Sequence, residues 1–187
     1  DGRWKPYAEE ENGDKLKELL IYRQQITPKW VRVNRIQRDF AAASESNDYL
    51  GFTSETIRSN LGDVVTKMAE NRDIYCQCIR CSEVGSEPFS EEEIKYTTHT
   101  FDASGAQEYF ICAEVPRPKR NLLLGFIRLR LNNTDNSSLL EELHNKTAVI
   151  RELHVYGNVR PVGSTSNTNG AQHRGIGKAL LKMAEDI

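Results

Sequence analysis

Apolar and polar positions divide the chain into two textures. Before about residue 93 the spacing is helical. Between residues 8 and 26, Leu16, Leu19, Leu20 and Ile26 recur among charged residues at a helix-like interval, and Pro28 closes the segment. Trp30-Val31-Arg32-Val33-Asn34-Arg35-Ile36 alternates in the manner of a short strand. Residues 41–54 are small and polar and read as a loop, after which Asn60 can cap a helix running from Leu61 to about Asn71 with Val64, Val65 and Met68 on its buried side. From about Ile94 the runs turn β-like: Ile94 to Phe101, Tyr109 to Val115, Leu122 to Leu131 and Ala148 to Tyr156. Ser104-Gly105 between the first two predicts a hairpin, and Pro116, Pro118 and Lys119 mark the next turn. Asn132 to Ser138 and Gly163 to Gly170 read as polar surface loops, and Ile176 to Ala184 as the start of an amphipathic helix. No internal repeat interrupts this order.

Composition narrows the reading only a little. A chain of 187 residues with 38% hydrophobic and 28% charged residues suits one medium globular domain, or one domain with an appendage. A net charge of -2 gives no global attraction to nucleic acid, so such a partner must be held locally. A local candidate exists: between Ile21 and Phe40 stand Arg23, Lys29, Arg32, Arg35 and Arg38 against Asp39 alone. Such a run is either a solvated charged face or a phosphate-contacting surface. No apolar run approaches the roughly 20 residues that span a bilayer, so no membrane partner is expected, and Asp1 to Tyr7 do not resemble a signal peptide. The first residue is not Met, and the chain reads as a piece of something longer.

Three of the four cysteines crowd into Cys76-Gln77-Cys78-Ile79-Arg80-Cys81. Neighbours this close are awkward disulfide partners but can converge on a metal, and without an export signal a reducing cytosol is the expected compartment. A structural zinc wants four ligands. His99 and Cys112 are the remaining candidates for the fourth, though Cys112 lies in an apolar run where a small core residue is the default. The alternative is three reduced thiols in a turn between two domains.

The strongest chemical signal joins a strand, a loop and a helix. The strand is Ile150-Arg151-Glu152-Leu153-His154-Val155-Tyr156, the loop is Gln172-His173-Arg174-Gly175-Ile176-Gly177, and the helix follows at once. A pyrophosphate needs several donors together. The first turn of a helix supplies free N–H groups and the positive end of the dipole, glycines let phosphate approach the backbone, and Arg174 and Lys178 add charge. A dinucleotide-binding loop would need a third glycine at position 180, which is Leu180. The pattern resembles motif A of the GNAT acetyltransferases, Gln/Arg-x-x-Gly-x-Gly/Ala. That resemblance implies an α+β fold with a central mixed sheet and flanking helices, acetyl-CoA as cofactor, and a strand whose Glu152, Leu153, His154 and Val155 line the pantetheine arm, one N–H polarising the thioester carbonyl.

The resemblance narrows on further stretches: Gly2-Arg3-Trp4-Lys5-Pro6-Tyr7, Arg35-Ile36-Gln37-Arg38-Asp39, Cys78-Ile79-Arg80-Cys81-Ser82-Glu83-Val84-Gly85 and Leu124-Gly125-Phe126-Ile127-Arg128-Leu129-Arg130. Together with Arg151 to Gly157, Pro161 and the glycine loop, they are similar, in order, to the family of the Elongator catalytic subunit, the tRNA uridine acetyltransferases. In that family an acetyltransferase domain follows a radical SAM barrel, and the product is a carboxymethyl-type modification at carbon 5 of the wobble uridine. The resemblance implies three parts: residues 1–45 as the end of the barrel, 46–92 as a linker whose Cys76, Cys78 and Cys81 hold zinc, and 93–187 as the acetyltransferase domain. S-adenosylmethionine and an iron–sulfur cluster would belong to the parent protein only, because the barrel's cysteine motif is absent. The strand after the terminal helix and a later tyrosine-bearing motif are absent too. The implied partners are tRNA, facing Arg23, Lys29, Arg32, Arg35 and Arg38, acetyl-CoA, and other Elongator subunits.

Individual side chains leave alternatives open. Glu152 is a general-base candidate or simply the partner of a neighbouring Arg such as Arg151. His154 is a polar group beside the thioester or a wall residue of the core. His173 lies where backbone donors matter more than its ring, and His144 in an acidic stretch reads as surface. Two other functions compete: a protein (histone) lysine acetyltransferase of the same fold, against which the basic run argues, and a non-catalytic zinc-stapled tRNA-binding scaffold, against which Gln172, Gly175 and Gly177 argue.

Overall fold

A computed structural model describes residues 11, 13–36, 60–132, 148–157 and 175–187. Arg38, the loops expected over 41–54 and 163–170, most of the loop from Asn132 to Ser138, His144 and the triplet Gln172, His173 and Arg174 lie outside the described residues. The chain divides into two compact units, Asp1–Cys81 and Ser82–Ile187.

In the first unit, α1 (Asp14–Ile26) packs on α2 (Leu61–Glu70). The shared core is Ile21, Leu61, Val65 and Ala69, flanked by Leu16, Leu20, Met68 and Ile74. Leu61, Val65 and Ala69 recur at the four-residue interval that keeps one helical face inward. Val64, expected on that face, is rotated to half-burial. The end of α1 is secured twice, since both the N–H and the hydroxyl of Thr27 donate to the Arg23 carbonyl, at 3.0 and 2.6 Å. Pro28 cannot continue the ladder. Arg72 clamps the helices through a two-pronged bond to the Glu18 carboxylate, 2.7 Å on each side, and holds that carboxyl below its ordinary range. No strand forms over Trp30–Ile36. Its alternation is real, but no partner strand is provided, and its backbone groups bond instead to the cysteine turn, which includes the short helix α3 (Ile79–Ser82).

The second unit is built on an antiparallel sheet in the order β1 (Lys95–Ala103), β2 (Ala106–Val115), β3 (Leu122–Leu131), β4 (Ala148–Val155). Sequence and space agree because each strand joins its neighbour by a reversal. At the first, Ser104 and Gly105 have φ 49° and 73°, the doubly positive geometry whose twist matches a hairpin. Among the described residues the strands are antiparallel throughout, with one parallel contact, the isolated bridge Glu83–Leu123. Helix α4 (Ile176–Glu185) lies on β2, β3 and β4 and buries Ile176, Leu180 and Ala184. Phe110, Ile111, Leu124, Phe126 and Ile127 are fully buried, whereas β4 leaves Ile150 and Leu153 exposed at 45% and 43%.

Candidate functional site

The second unit sets the start of α4 beside β4. Gly175 occupies the N-cap in the left-handed region, φ 81°, and no side chain caps the helix there. That φ strains an L-residue, and among the described residues a Cβ on Gly175 would meet nothing within 4 Å. Ile176 is buried while Lys178 is exposed beside it. Two residues on, a Cβ on Gly177 would lie 3.6 Å from Val155 Cγ2, an ordinary contact between helix and strand. The strands beneath are tighter still: a Cβ on Gly125 would come within 2.8 Å of the His154 carbonyl oxygen. Of the sequence-derived cofactor residues, Glu152, Leu153, His154, Val155, Gly175, Ile176, Gly177 and Lys178 are therefore carried on two adjoining elements.

On the opposite face of β4, register decides the contacts. Arg128 faces Glu152 and Phe126 faces His154 across β3 and β4. Arg128 Nε donates to Glu152 Oε2 at 3.1 Å, and its guanidinium lies 5.5 and 5.6 Å from the Phe110 and Phe126 ring centroids, so the charge is held over aromatic faces. The neighbour Arg151, expected as a partner of Glu152, instead bonds Glu108 at 2.6 Å. A bulge between Arg128 and Leu129 separates those two roles. Glu108, 1% exposed, also receives Arg130 at 3.0 Å. His154 is exposed, and its ring lies 4.4 Å from Tyr156 and 6.2 Å from Phe126. Arg128 and Tyr156 were not singled out from sequence, because only the strand register shows that they touch Glu152 and His154.

In the first unit the sulfurs of Cys76, Cys78 and Cys81 all lie within 4.8 Å of one another, two buried and the third exposed. Thiol donation from Cys76 and Cys81, with further bonds from the backbone N–H groups of Cys81 and Val33, holds Cys78 well below the usual thiol range. The same sharing pushes Cys81 up. The trio fits zinc: tetrahedral thiolates on bonds of about 2.3 Å stand roughly 3.8 Å apart, inside the 4.8 Å within which these sulfurs all lie. No fourth Cys, His, Asp or Glu ligand atom joins them among the described residues. His99 and Cys112 belong to the sheet, on β1 and β2, where Cys112 is buried against the Thr97 hydroxyl at 3.1 Å and His99 lies by Phe110.

The basic run is displayed unevenly. Arg32 and Arg35 are exposed and Lys29 is half-buried. Arg23 Nε and Nη1 are shielded from solvent and make no hydrogen bond among the described residues, so Arg23 is not presented as the other two arginines are.

No protein-family model matches the chain. Similarity to curated proteins nevertheless runs along all of it. The chain is 36% identical over 192 residues to the tRNA uridine(34) acetyltransferase of Methanocaldococcus jannaschii, covering 100% of this chain and 32% of that protein. It is 30% identical over 190 residues to human Elongator complex protein 3, again with 100% and 32% covered. Among solved structures, the archaeal Elp3 of Methanocaldococcus infernus, with an N-terminal deletion, aligns with a TM-score of 0.73 and 34% identity over 93% of this chain and 39% of that one. The chain thus spans about a third of the length of the curated relatives it matches.

Proposed function

We propose that this chain, a full-length homologue of about a third of the tRNA uridine(34) acetyltransferases and Elongator complex protein 3, is the acetyl-CoA-binding part of an enzyme of that kind. In this reading the second unit is a GNAT acetyltransferase domain, and residues 1–45, 46–92 and 93–187 are the end of a radical SAM domain, a zinc linker and the acetyltransferase. The parent enzyme uses both catalytic domains to modify carbon 5 of the wobble uridine of tRNA. The observation that carries the reading is the N-terminus of α4 at Gly175, with no side-chain cap among the described residues, where a Cβ on Gly177 would lie 3.6 Å from Val155 Cγ2 of β4.

The roles follow from charge and geometry. N–H groups at Ile176, Gly177 and Lys178, with the Lys178 ammonium, bind the pyrophosphate at the positive end of the helix. Gln172, His173 and Arg174 complete that loop. The pantetheine arm runs along Glu152 to Val155, where a strand N–H donates to the thioester carbonyl as charge gathers on it. Because Glu152 is paired with Arg128, its first role is to fix the edge of β4. His154, exposed beside Tyr156, is the better-placed polar group near the acyl carbon. Cys76, Cys78 and Cys81 hold zinc, which supplies structural cross-linking rather than chemistry. Lys29, Arg32 and Arg35 face tRNA, and Arg23, whose Nε and Nη1 are shielded from solvent, is left out of that surface.

Acetyl-CoA titration of the full-length protein by calorimetry tests the site. Gly175→Leu, which strains the cap and covers the helix start, is expected to abolish measurable binding while circular dichroism stays native. Unchanged affinity in a folded variant would refute the placement.

A further inference from the structure

In sequence the cysteine turn and the basic segment lie more than forty residues apart. Their backbones are bonded together. Ile79 N–H donates to the Val31 carbonyl at 3.0 Å, Val33 N–H donates to the Cys78 sulfur, and the Arg80 guanidinium donates to the Asn34 carbonyl. These links fall on three consecutive residues of the turn and span 31–34 of the basic segment. Over the same stretch the segment has no strand partner and no helical ladder; a turn bonds Val31 N–H to the Pro28 carbonyl at 3.1 Å. Arg32 and Arg35 point outward from the bonded residues and are exposed, as is Arg80.

We infer that the three-cysteine centre is the splint that shapes residues 29–36 into an RNA-backbone-binding surface, so that binding of tRNA by Lys29, Arg32, Arg35 and Arg80 depends on a metal held by Cys76, Cys78 and Cys81. The inference rests on the reading that this basic run faces tRNA and that the trio binds zinc. The physical reason is entropic. A segment without regular structure must lose backbone freedom to present its cations in one geometry. Bonds to a sulfur and to the turn that carries it hold that geometry only while the turn is closed. A hydrogen bond to a metal-bound thiolate is also the kind of outer contact that fixes both partners. Without metal the thiols have no common centre, the turn loosens, and the cations contact phosphate only after paying that ordering cost.

The test is a cycle on the full-length protein under reducing conditions, with tRNA affinity read by fluorescence anisotropy at stepped salt. Wild type and the Arg32→Gln/Arg35→Gln variant are each measured zinc-loaded and after chelation, with zinc content checked by elemental analysis. Chelation of wild type is expected to weaken binding roughly tenfold and to lower the salt slope by about 1.5, as two lost phosphate contacts would. The double variant is expected to show the same loss when loaded and little further loss on chelation. If chelation leaves wild-type affinity unchanged, or if the two losses add, the coupling is overturned while the tRNA-facing reading stands. If the loaded double variant binds like wild type, the tRNA-facing reading itself fails and takes the inference with it. Should chelation unfold the protein, Arg80→Lys keeps charge and thiolates but removes the guanidinium bond to the Asn34 carbonyl. It is then expected to retain zinc, speed amide exchange at residues 33–35 and weaken tRNA binding, and unchanged exchange and affinity would overturn the proposal.

Discussion

Two glycines in the second unit are expected to respond to alanine with opposite signs. Gly125 sits in β3 where a Cβ would fall 2.8 Å from the His154 carbonyl oxygen and 3.2 Å from Val155 Cα. Both are backbone atoms that cannot swing aside. Reaching ordinary contact at 3.4 Å demands that β3 and β4 part by about 0.6 Å, across a pairing that includes the 2.8 Å bond from Tyr156 N–H to the Leu124 carbonyl. Overpacking of this kind costs about 1–3 kcal/mol, and reduced freedom of the unfolded chain returns about 0.4–1 kcal/mol, leaving Gly125→Ala destabilised by roughly 0.5–2 kcal/mol. At Gly177 the Cβ would lie 3.6 Å from Val155 Cγ2, an ordinary contact, inside a helix. There alanine gains up to about 1 kcal/mol of helix propensity. Urea titrations of both variants, followed by circular dichroism, are the assay. Thermal midpoints should move down and up by roughly 4–8 °C per kcal/mol for a unit of this size. Because Gly125→Ala displaces the strand carrying Glu152 to Val155, it should also weaken acetyl-CoA binding, whereas Gly177→Ala should not. A Gly125→Ala protein as stable as wild type, or a Gly177→Ala protein less stable, would refute the packing argument.

Three further predictions concern charge and sulfur. Glu108→Gln removes the charge that Arg130 and Arg151 share at a position 1% exposed; because Arg130 keeps its bonds to the Ala103 and Ser104 carbonyls and Arg151 is half in solvent, a loss of about 1–2 kcal/mol in denaturant titration is expected, and a loss within error would refute it. Arg72 holds the Glu18 carboxyl below its ordinary value of 4.5, so this pair's contribution is present above that pH and fades as pH falls through the lowered folded value. NMR titration should show Glu18 returning to the ordinary range in Arg72→Gln, and an unmoved titration would show that another group sets it. Cys78→Ser should remove zinc from the purified protein, read by elemental analysis, and retained stoichiometric zinc would exclude the trio as the site.

What was legible in the sequence was local. The period-two runs and the Ser104-Gly105 turn place all four strands to within a few residues, because a hairpin's chemistry is written in adjacent positions. The Leu61 helix and its Asn60 cap position were legible for the same reason. Alternation at Trp30–Ile36 misled, since a strand also needs a partner, and the bonds went to Cys78, Ile79 and Arg80, more than forty residues on. The pairing of Glu152 with Arg128 rather than Arg151 depends on register and a bulge, which no short window contains. The fourth ligand of the cysteine trio was open in the sequence for a related reason: ligands converge through folding, and spacing names only the three that are close along the chain.

We propose that this chain binds acetyl-CoA within a tRNA-modifying enzyme. Acetyl-CoA hydrolysis by the full-length protein, with and without tRNA and with a histone-tail peptide for comparison, tests it most directly. The account predicts turnover that rises with tRNA and ignores the peptide; acetylation of the peptide with no response to tRNA would contradict it.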